Sequence, residues 1–98
     1  MKHFIVEIKY TAEINKIDEA LAEHRNFLQI GYDNGMLLCS GPLTPRVGGI
    51  IIARAESEEK IAEFFLNDPY NVNSLADYSI KEFNPVKSQE FMKDWING

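Results

Sequence analysis

Histidine is the residue type in this chain best suited to move protons near neutral pH, because an imidazole has a reference pKa of about 6.5. The chain has two histidines. One of them, His24, lies in a periodic stretch in which apolar residues recur at spacings of three and four: Ile17, Leu21 and Leu28. On spacing alone, a ring on such a face favours a core histidine held by one hydrogen bond, since buried polar side chains generally have partners. The alternative is a general acid–base group.

The other reactive residues favour different roles. Cys39 is the single cysteine, so it cannot form an intrachain disulfide, and in the apolar run 36–39 it is expected to act as a small hydrophobic side chain. His3, close to Glu7 on the first strand, favours a wet strand edge or a dimer rim over a metal ligand. No serine lies in a Gly-x-Ser-x-Gly turn, which leaves nucleophilic catalysis poorly supported. We therefore expect no metal and no cofactor.

Composition narrows the class of protein further. Ten basic and fifteen acidic residues give a net charge of −5. This excess repels polyanions, so we expect neither nucleic acid nor an anionic membrane surface as a partner. The apolar runs are far too short to span a bilayer, and no secretory leader is visible after Lys2. We expect a cytoplasmic protein with a single domain over residues 1–98.

The elements that must position His24 follow from hydrophobic periodicity. Residues 13–32 have the 3.6-residue spacing of an amphipathic helix, and Ser57 is a good N-cap for a second helix that ends at Asn67. Asp68-Pro69 predicts a further short helical turn, with Asp68 as N-cap. Strands are predicted over residues 2–10, 36–43, 49–55 and 76–83, and a tail helix over residues 86–96.

This order predicts an α+β fold of the ferredoxin-like, split βαβ type (β-α-β-β-α-β), with a four-stranded antiparallel sheet and a C-terminal helix. Two helices would cover one face of the sheet. Little in the chain remains to cover the other face, where Ile5 and alternate residues of 49–55 would lie. An open apolar face invites a partner. We therefore predict a homodimer that forms sheet to sheet with C2 symmetry.

Three separated signatures resemble the YciI-related (YCII) family of small bacterial proteins. They are His24-x-x-Phe27-Leu28, then Ser40-Gly41-Pro42, and last Asp68-Pro69-Tyr70. The Phe4-Ile5-Val6 run and the Gly48-Gly49 opening of the third strand also fit the family. The resemblance covers the chain from Met1 to about Pro85, and the three signatures are specific by their joint order.

The resemblance implies a dimeric α/β barrel, often compared with muconolactone-isomerase-like proteins. It also implies a His–Asp pair in a cleft beside the sheet, which would be His24 and Asp68, with Ser40 and Gly41 lining the same cleft as substrate-binding residues. The loop after Gly-Pro departs from the family, because many relatives have an acidic or polar residue where this chain reads 43–47. Arg46 in this loop would meet either an anionic substrate or water.

Two functions from different classes follow. In the first, the protein is a small-molecule enzyme, an isomerase or a lyase, in which His24 and Asp68 perform general acid–base chemistry on a small polar or aromatic metabolite. A carboxylate bonded to one ring nitrogen would fix the tautomer and leave the other nitrogen to work. In the second, the chain is a non-catalytic dimeric module that binds a small ligand. His24 would then only hydrogen-bond the ligand or the core, and capping alone would account for Asp68.

Overall fold

A computed structural model describes all 98 residues, Met1–Gly98. The elements follow the order predicted from the sequence. Their bounds are β1 Lys2–Tyr10, α1 Ile14–Asp33, β2 Leu37–Pro42, β3 Gly48–Ala55, α2 Glu58–Phe65, α3 Pro69–Val72, β4 Ala76–Phe83, a 3₁₀ turn Glu90–Met92 and α4 Lys93–Asn97. Among the helices, none combines the length and the apolar character needed to cross a bilayer.

The four strands form one antiparallel sheet in the order β2-β3-β1-β4. This confirms the predicted ferredoxin-like fold. β1 and β3 are the central strands, and β2 and β4 are the edges. One face of the sheet packs against the helices, and we call it the helix face. The opposite face is the open face.

The core lies between the helix face and the helices. Side chains alternate along β1, so that Phe4, Val6 and Ile8 point to the helices and are at most 2% exposed. Ile17 of α1 and Ile61 of α2 meet them and are fully buried. Each such side chain contributes roughly 1.5–3 kcal/mol through burial. This packing fixes α1 across the sheet, and α1 carries His24.

A β-bulge at Leu38 decides which side chains of β2 reach the helices. Cys39 pairs with Ile52, and Ser40 pairs with Ile51, because the register shifts by one residue before Cys39. Ile51 is a helix-face residue, so Ser40 also lies on the helix side, whereas Cys39 lies on the open face. Cys39 is exposed there. The expectation that it packs as a small hydrophobic residue was wrong.

The C-terminal segment differs from the predicted helix over 86–96. Regular helix begins only at Lys93, after the 3₁₀ turn. Trp95 packs on the open face against His3, with ring centroids 5.5 Å apart, and below Arg54 at 5.0 Å. His3 is consequently 6% exposed, so of the two predicted environments the wet strand edge was wrong, while the dimer rim stays a prediction. Phe91 is left 83% exposed, because only one side of this short segment meets the sheet.

Candidate active site

His24 and Asp68 meet beneath α1. His24 lies on the buried side of α1 and is 8% exposed. Its Nδ1 is 2.8 Å from Oδ1 of Asp68, although the two residues are 44 positions apart. A carboxylate has only acceptor oxygens, so Nδ1 carries the hydrogen of this bond. The other ring nitrogen, Nε2, has no partner within the protein and remains available.

Asp68 is fully buried and accepts three hydrogen bonds. It is the N-cap of α3, where Oδ1 accepts from the Tyr70 backbone N–H at 3.1 Å, and Pro69 occupies the first turn. Its Oδ2 accepts from the Tyr78 hydroxyl at 2.6 Å. The cap and the contact with His24 thus use the same carboxylate without competition. The three donors hold its plane and orient the imidazole.

Tyr78 supports this arrangement from β4. Burial, followed by the hydrogen bond to Asp68, raises the pKa of the Tyr78 hydroxyl far above its ordinary value. The hydroxyl is the donor in this bond, because a carboxylate oxygen can only accept. Sequence reasoning missed this role. The available signal was the period-2 pattern, which places Tyr78 with Ala76 and Ile80 on the helix face.

Tyr70 forms the second wall of the imidazole site. Its ring stacks on that of His24 with centroids 3.9 Å apart and an interplanar angle of 10°. The residue is 1% exposed, and its hydroxyl has no hydrogen-bond partner. Burial raises the pKa of Tyr70 to about 12. The sequence contains a signal for this residue, since Asp68-Pro69-Tyr70 was one of the three signatures, but no role was predicted for it.

A cleft of about 150 Å³ lies between α1 and the ends of β2 and β3. His24, Ser40 and Gly41 line it together, while Asp68 lies behind the imidazole. The Ser40 hydroxyl is 2.6 Å from the Tyr32 hydroxyl of α1. At Gly41 a Cβ would meet no atom within 4 Å, so the backbone here borders open space. The four predicted site residues thus belong to one region of the structure; their roles stay predictions.

A family model described as the YCII-related domain matches residues 1–84 of this chain. This match agrees with the sequence signatures, the fold and the arrangement of the site. The chain belongs to the YCII-related family. No curated protein matches this YCII-related chain significantly.

A solved structure supports the same fold. The chain is similar to the 5-chloro-2-hydroxyhydroquinone dehydrochlorinase of Burkholderia phenoliruptrix, which was solved in complex with 2,5-dihydroxybenzoquinone. The TM-score is 0.73 and the sequence identity is 18%, over 91% of this chain and 97% of that one. At this identity the likeness establishes the shared fold. This YCII-related protein therefore shares its fold with that dehydrochlorinase.

Arg46 lies in the loop where this YCII-related chain departs from the family pattern, and the structure shows what its side chain contacts. The side chain turns back from the β2–β3 connection, and Nη1 donates to Oδ1 of Asp18 on α1 at 2.5 Å. This hydrogen bond is the main reason why the pKa of Arg46 is raised. Arg46 also lines the cleft. Of the two predicted alternatives, a side chain that merely faces water does not describe this position.

The site offers no ready set of metal ligands. Nowhere in the chain do three or more His, Cys, Asp or Glu side chains gather in a way that could hold an ion. The chemistry available to the cleft through its own residues is therefore the chemistry of its imidazole, hydroxyl, amide and guanidinium groups.

Proposed function

We propose that this YCII-related protein is a small-molecule enzyme in which His24 is the general acid–base and Asp68 positions it. The observation that carries the proposal is the 2.8 Å contact between Nδ1 and the buried carboxylate, with Nε2 left free on a ring that lines the cleft. In this tautomer Nε2 holds an unshared electron pair. It can accept a proton from a substrate atom in the cleft.

The reaction class follows from what happens after that proton moves. Removal of a proton from carbon leaves an electron pair that forms a new double bond. If a leaving group on the adjacent carbon departs with its bonding pair, the outcome is elimination; if the imidazolium returns the proton to another carbon, the outcome is isomerisation. The Asp68 carboxylate stabilises the imidazolium in both cases. Ser40 and the backbone at Gly41 are proposed to hold a carbonyl or hydroxyl oxygen of the substrate.

Two observations favour a ring-sized substrate. A cavity of roughly 150 Å³ holds one benzene ring, and the cleft has about this volume. The structural neighbour is named a dehydrochlorinase, a name that denotes elimination, and its ligand is a single six-membered ring. We propose that this chain acts on a small polar or aromatic compound by the same type of proton transfer.

The test is hydrogen–deuterium exchange at carbon. A panel of one-ring hydroxyquinones and unsaturated ring acids is incubated in D₂O with the protein and followed by NMR. We expect exchange or product formation with at least one compound, and a loss of about 10²-fold or more in His24→Asn. Glu23→Gln, on the exposed side of the same helix, is the matched control and should retain full activity.

The second candidate function is a non-catalytic ligand-binding module. The saturated hydrogen bonding of Asp68 favours it to the extent that a capped carboxylate needs no catalytic reason to be there. Compounds that bind to the wild type but come back unchanged and unexchanged would support this function. They would refute the proton-transfer proposal.

We also propose that a second copy of this chain covers the open face. Ile5, Ile50 and Ile52 lie there half-buried, and charged side chains of both signs, Glu7 and Lys81, lie beside them. A C2 arrangement can pair such a face with itself. Light scattering should give twice the monomer mass of 11.2 kDa, and Ile52→Lys should reduce it to the monomer. A monomer mass for the wild type at micromolar concentration would refute the dimer.

The proposed compartment is the cytoplasm. Disulfides are rare there because thiols are kept reduced. Cys39, the single cysteine, is free, which suits a reducing environment. Fractionation of cells that express the untagged chain, with blotting of soluble and envelope fractions, tests this placement.

A further inference from the structure

The charge of the cleft is opposite to that of the chain. The whole chain has fifteen acidic and ten basic residues, yet no carboxylate lines the cleft, whereas Arg25 and Arg46 do. Asp68 and Asp18 are bonded to His24 and Arg46 of the lining, but neither carboxylate lines the cleft itself. A concave, partly apolar site lined by charge of one sign concentrates its field on what enters. This arrangement favours an anion.

Arg46 lines the cleft, and only one of its two terminal guanidinium nitrogens is paired. Nη1 is bonded to Asp18, whereas Nη2 is buried and has no acceptor. Buried donors generally have partners, and an orphan donor carries a free-energy cost that a ligand acceptor removes. The contact with Asp18 fixes the plane of the guanidinium. The Tyr10 and Tyr70 hydroxyls lie near the guanidinium, but neither accepts a hydrogen bond from Nη2, so this nitrogen is free to donate to an oxygen of a ligand.

The Tyr70 hydroxyl is a second unpaired donor in the same place. The residue is 99% buried, it lines the cleft, and its hydroxyl has no partner. Tyr70 and Arg46 line the same cleft. Burial raises the pKa of Tyr70 to about 12, while the Arg46 guanidinium acts in the opposite direction. Two donors that lack acceptors and share one cavity are complementary to a negatively charged oxygen.

We propose that Arg46 and Tyr70 form an anion subsite that selects substrates carrying a carboxylate or an ionised hydroxyl on a single small ring. The stacked rings of Tyr70 and His24, 3.9 Å apart, place the subsite within the length of one small molecule from the imidazole. The inference rests on the proposed function only in taking this cleft as the substrate site. It adds the charge and the size of the substrate.

The test uses two compounds of the same shape, benzoate and benzamide. Binding to the full chain is measured by NMR titration or calorimetry. We expect benzoate to bind at least about tenfold more tightly than benzamide, because a hydrogen bond to a charged partner is the stronger kind. Arg46→Gln should bring the two affinities to within about twofold. Lys60→Gln, an exposed cation on α2 paired with Glu63, is the matched control and should keep the preference.

Tyr70→Phe separates a binding role from a structural one. It removes an unpaired buried hydroxyl, so the ligand-free protein should melt at the same temperature or higher, while benzoate affinity falls about tenfold. A lower melting temperature would mean that the hydroxyl has a structural partner, and would refute its place in the subsite. Arg25 lies exposed at the cleft and provides a further comparison. If Arg25→Gln instead of Arg46→Gln abolishes the preference, the proposed subsite is wrong.

The outcome can be separated from that of the proton-transfer test. Equal affinities of the wild type for both compounds, or no binding of either at millimolar concentration, would refute the subsite. Binding needs no proton transfer, so His24→Asn should keep the preference for benzoate. A preserved preference together with no exchange activity would refute only the acid–base role of His24, and the reverse result would refute only the subsite.

Discussion

Replacement of Asp68 is the sharpest test of how the site is held together. Asp68→Ala leaves three donors without their acceptor: His24 Nδ1, the Tyr70 amide and the Tyr78 hydroxyl. Each hydrogen bond to a charged group contributes about 1.5–3 kcal/mol. A simple sum overstates the loss, because all three share one carboxylate. Removal of one partner of a buried pair typically costs about 3–5 kcal/mol.

Asp68→Asn is the matched, gentler change. The amide oxygen can still accept from His24 and from the Tyr70 amide, but its NH₂ group replaces the oxygen that faces the Tyr78 hydroxyl. That hydroxyl must then turn and accept, so we expect a loss of only about 1–2 kcal/mol. Asp77→Asn, at an exposed position of β4, is the control and should change stability by less than about 0.5 kcal/mol.

Urea unfolding measures these changes as shifts of the midpoint at constant slope. For a domain of this size, the alanine variant should also melt at least about 12 °C lower. Tyr78→Phe should cost about 1.5–3 kcal/mol in the wild type and almost nothing in Asp68→Ala, because the partner is already gone. A loss below about 1 kcal/mol for Asp68→Ala, or additive losses in the double variant, would refute the idea that Asp68 organises the site.

Three other perturbations test the surrounding structure. The pKa of Tyr70 is raised to about 12 from an ordinary value near 10, so the folded chain keeps a proton that the unfolded chain loses. The free energy of unfolding should therefore fall above about pH 10, by no more than about 2–3 kcal/mol. Urea unfolding at each pH measures this fall, and Tyr70→Phe should weaken it. Burial lowers the pKa of His3, with the N-terminal charge adding to the effect, so its contribution to stability is present above about pH 6.5 and is lost as the pH falls below it. Emission of Trp95, the single tryptophan, should shift on acidification to about pH 5, and should stay constant in His3→Phe. Gly48→Ala should lower the stability by about 3 kcal/mol or more in thermal unfolding, because the added Cβ would lie 1.9 Å from a backbone carbonyl oxygen of β1. Gly41→Ala is the control. Its Cβ would meet open space, so the melting temperature should change by only a few degrees.

Most of the fold was predictable, because the spacing of apolar residues in a long element indicates whether it is a helix or a strand. The stripe around His24 fixed both the helix and the side of it that faces the sheet, and Ser57 and Asp68 are the N-caps predicted from their residue types. The family signatures supplied the association of His24 with Asp68, which no local pattern contains. A contact between residues 44 positions apart depends on how two helices pack on one sheet. Hydrophobic periodicity gives no information about that packing.

Errors arose where one residue of offset or one tertiary contact decides the outcome. Cys39 follows a bulge that no turn-forming residue in the sequence indicates, so the apolar run 36–39 looked like a packed strand. The tail helix is shortened because Trp95 docks on the sheet, and the same contact buries His3. Arg46 contacts Asp18 of α1, which lies 28 residues away in the sequence. Sequence patterns do not encode such contacts.

The bulge at Leu38 decides which reactive group of β2 borders the hollow. If Leu38 were kept but paired regularly with Ile52, Cys39 would lie opposite Ile51 on the helix side and Ser40 would turn to the open face, because side chains alternate along a strand. A thiol would then replace an alcohol beside the hollow. Loss of Leu38 itself would leave Cys39 opposite Ile52 and Ser40 opposite Ile51, so a deletion at this position would straighten the strand without exchanging the two groups.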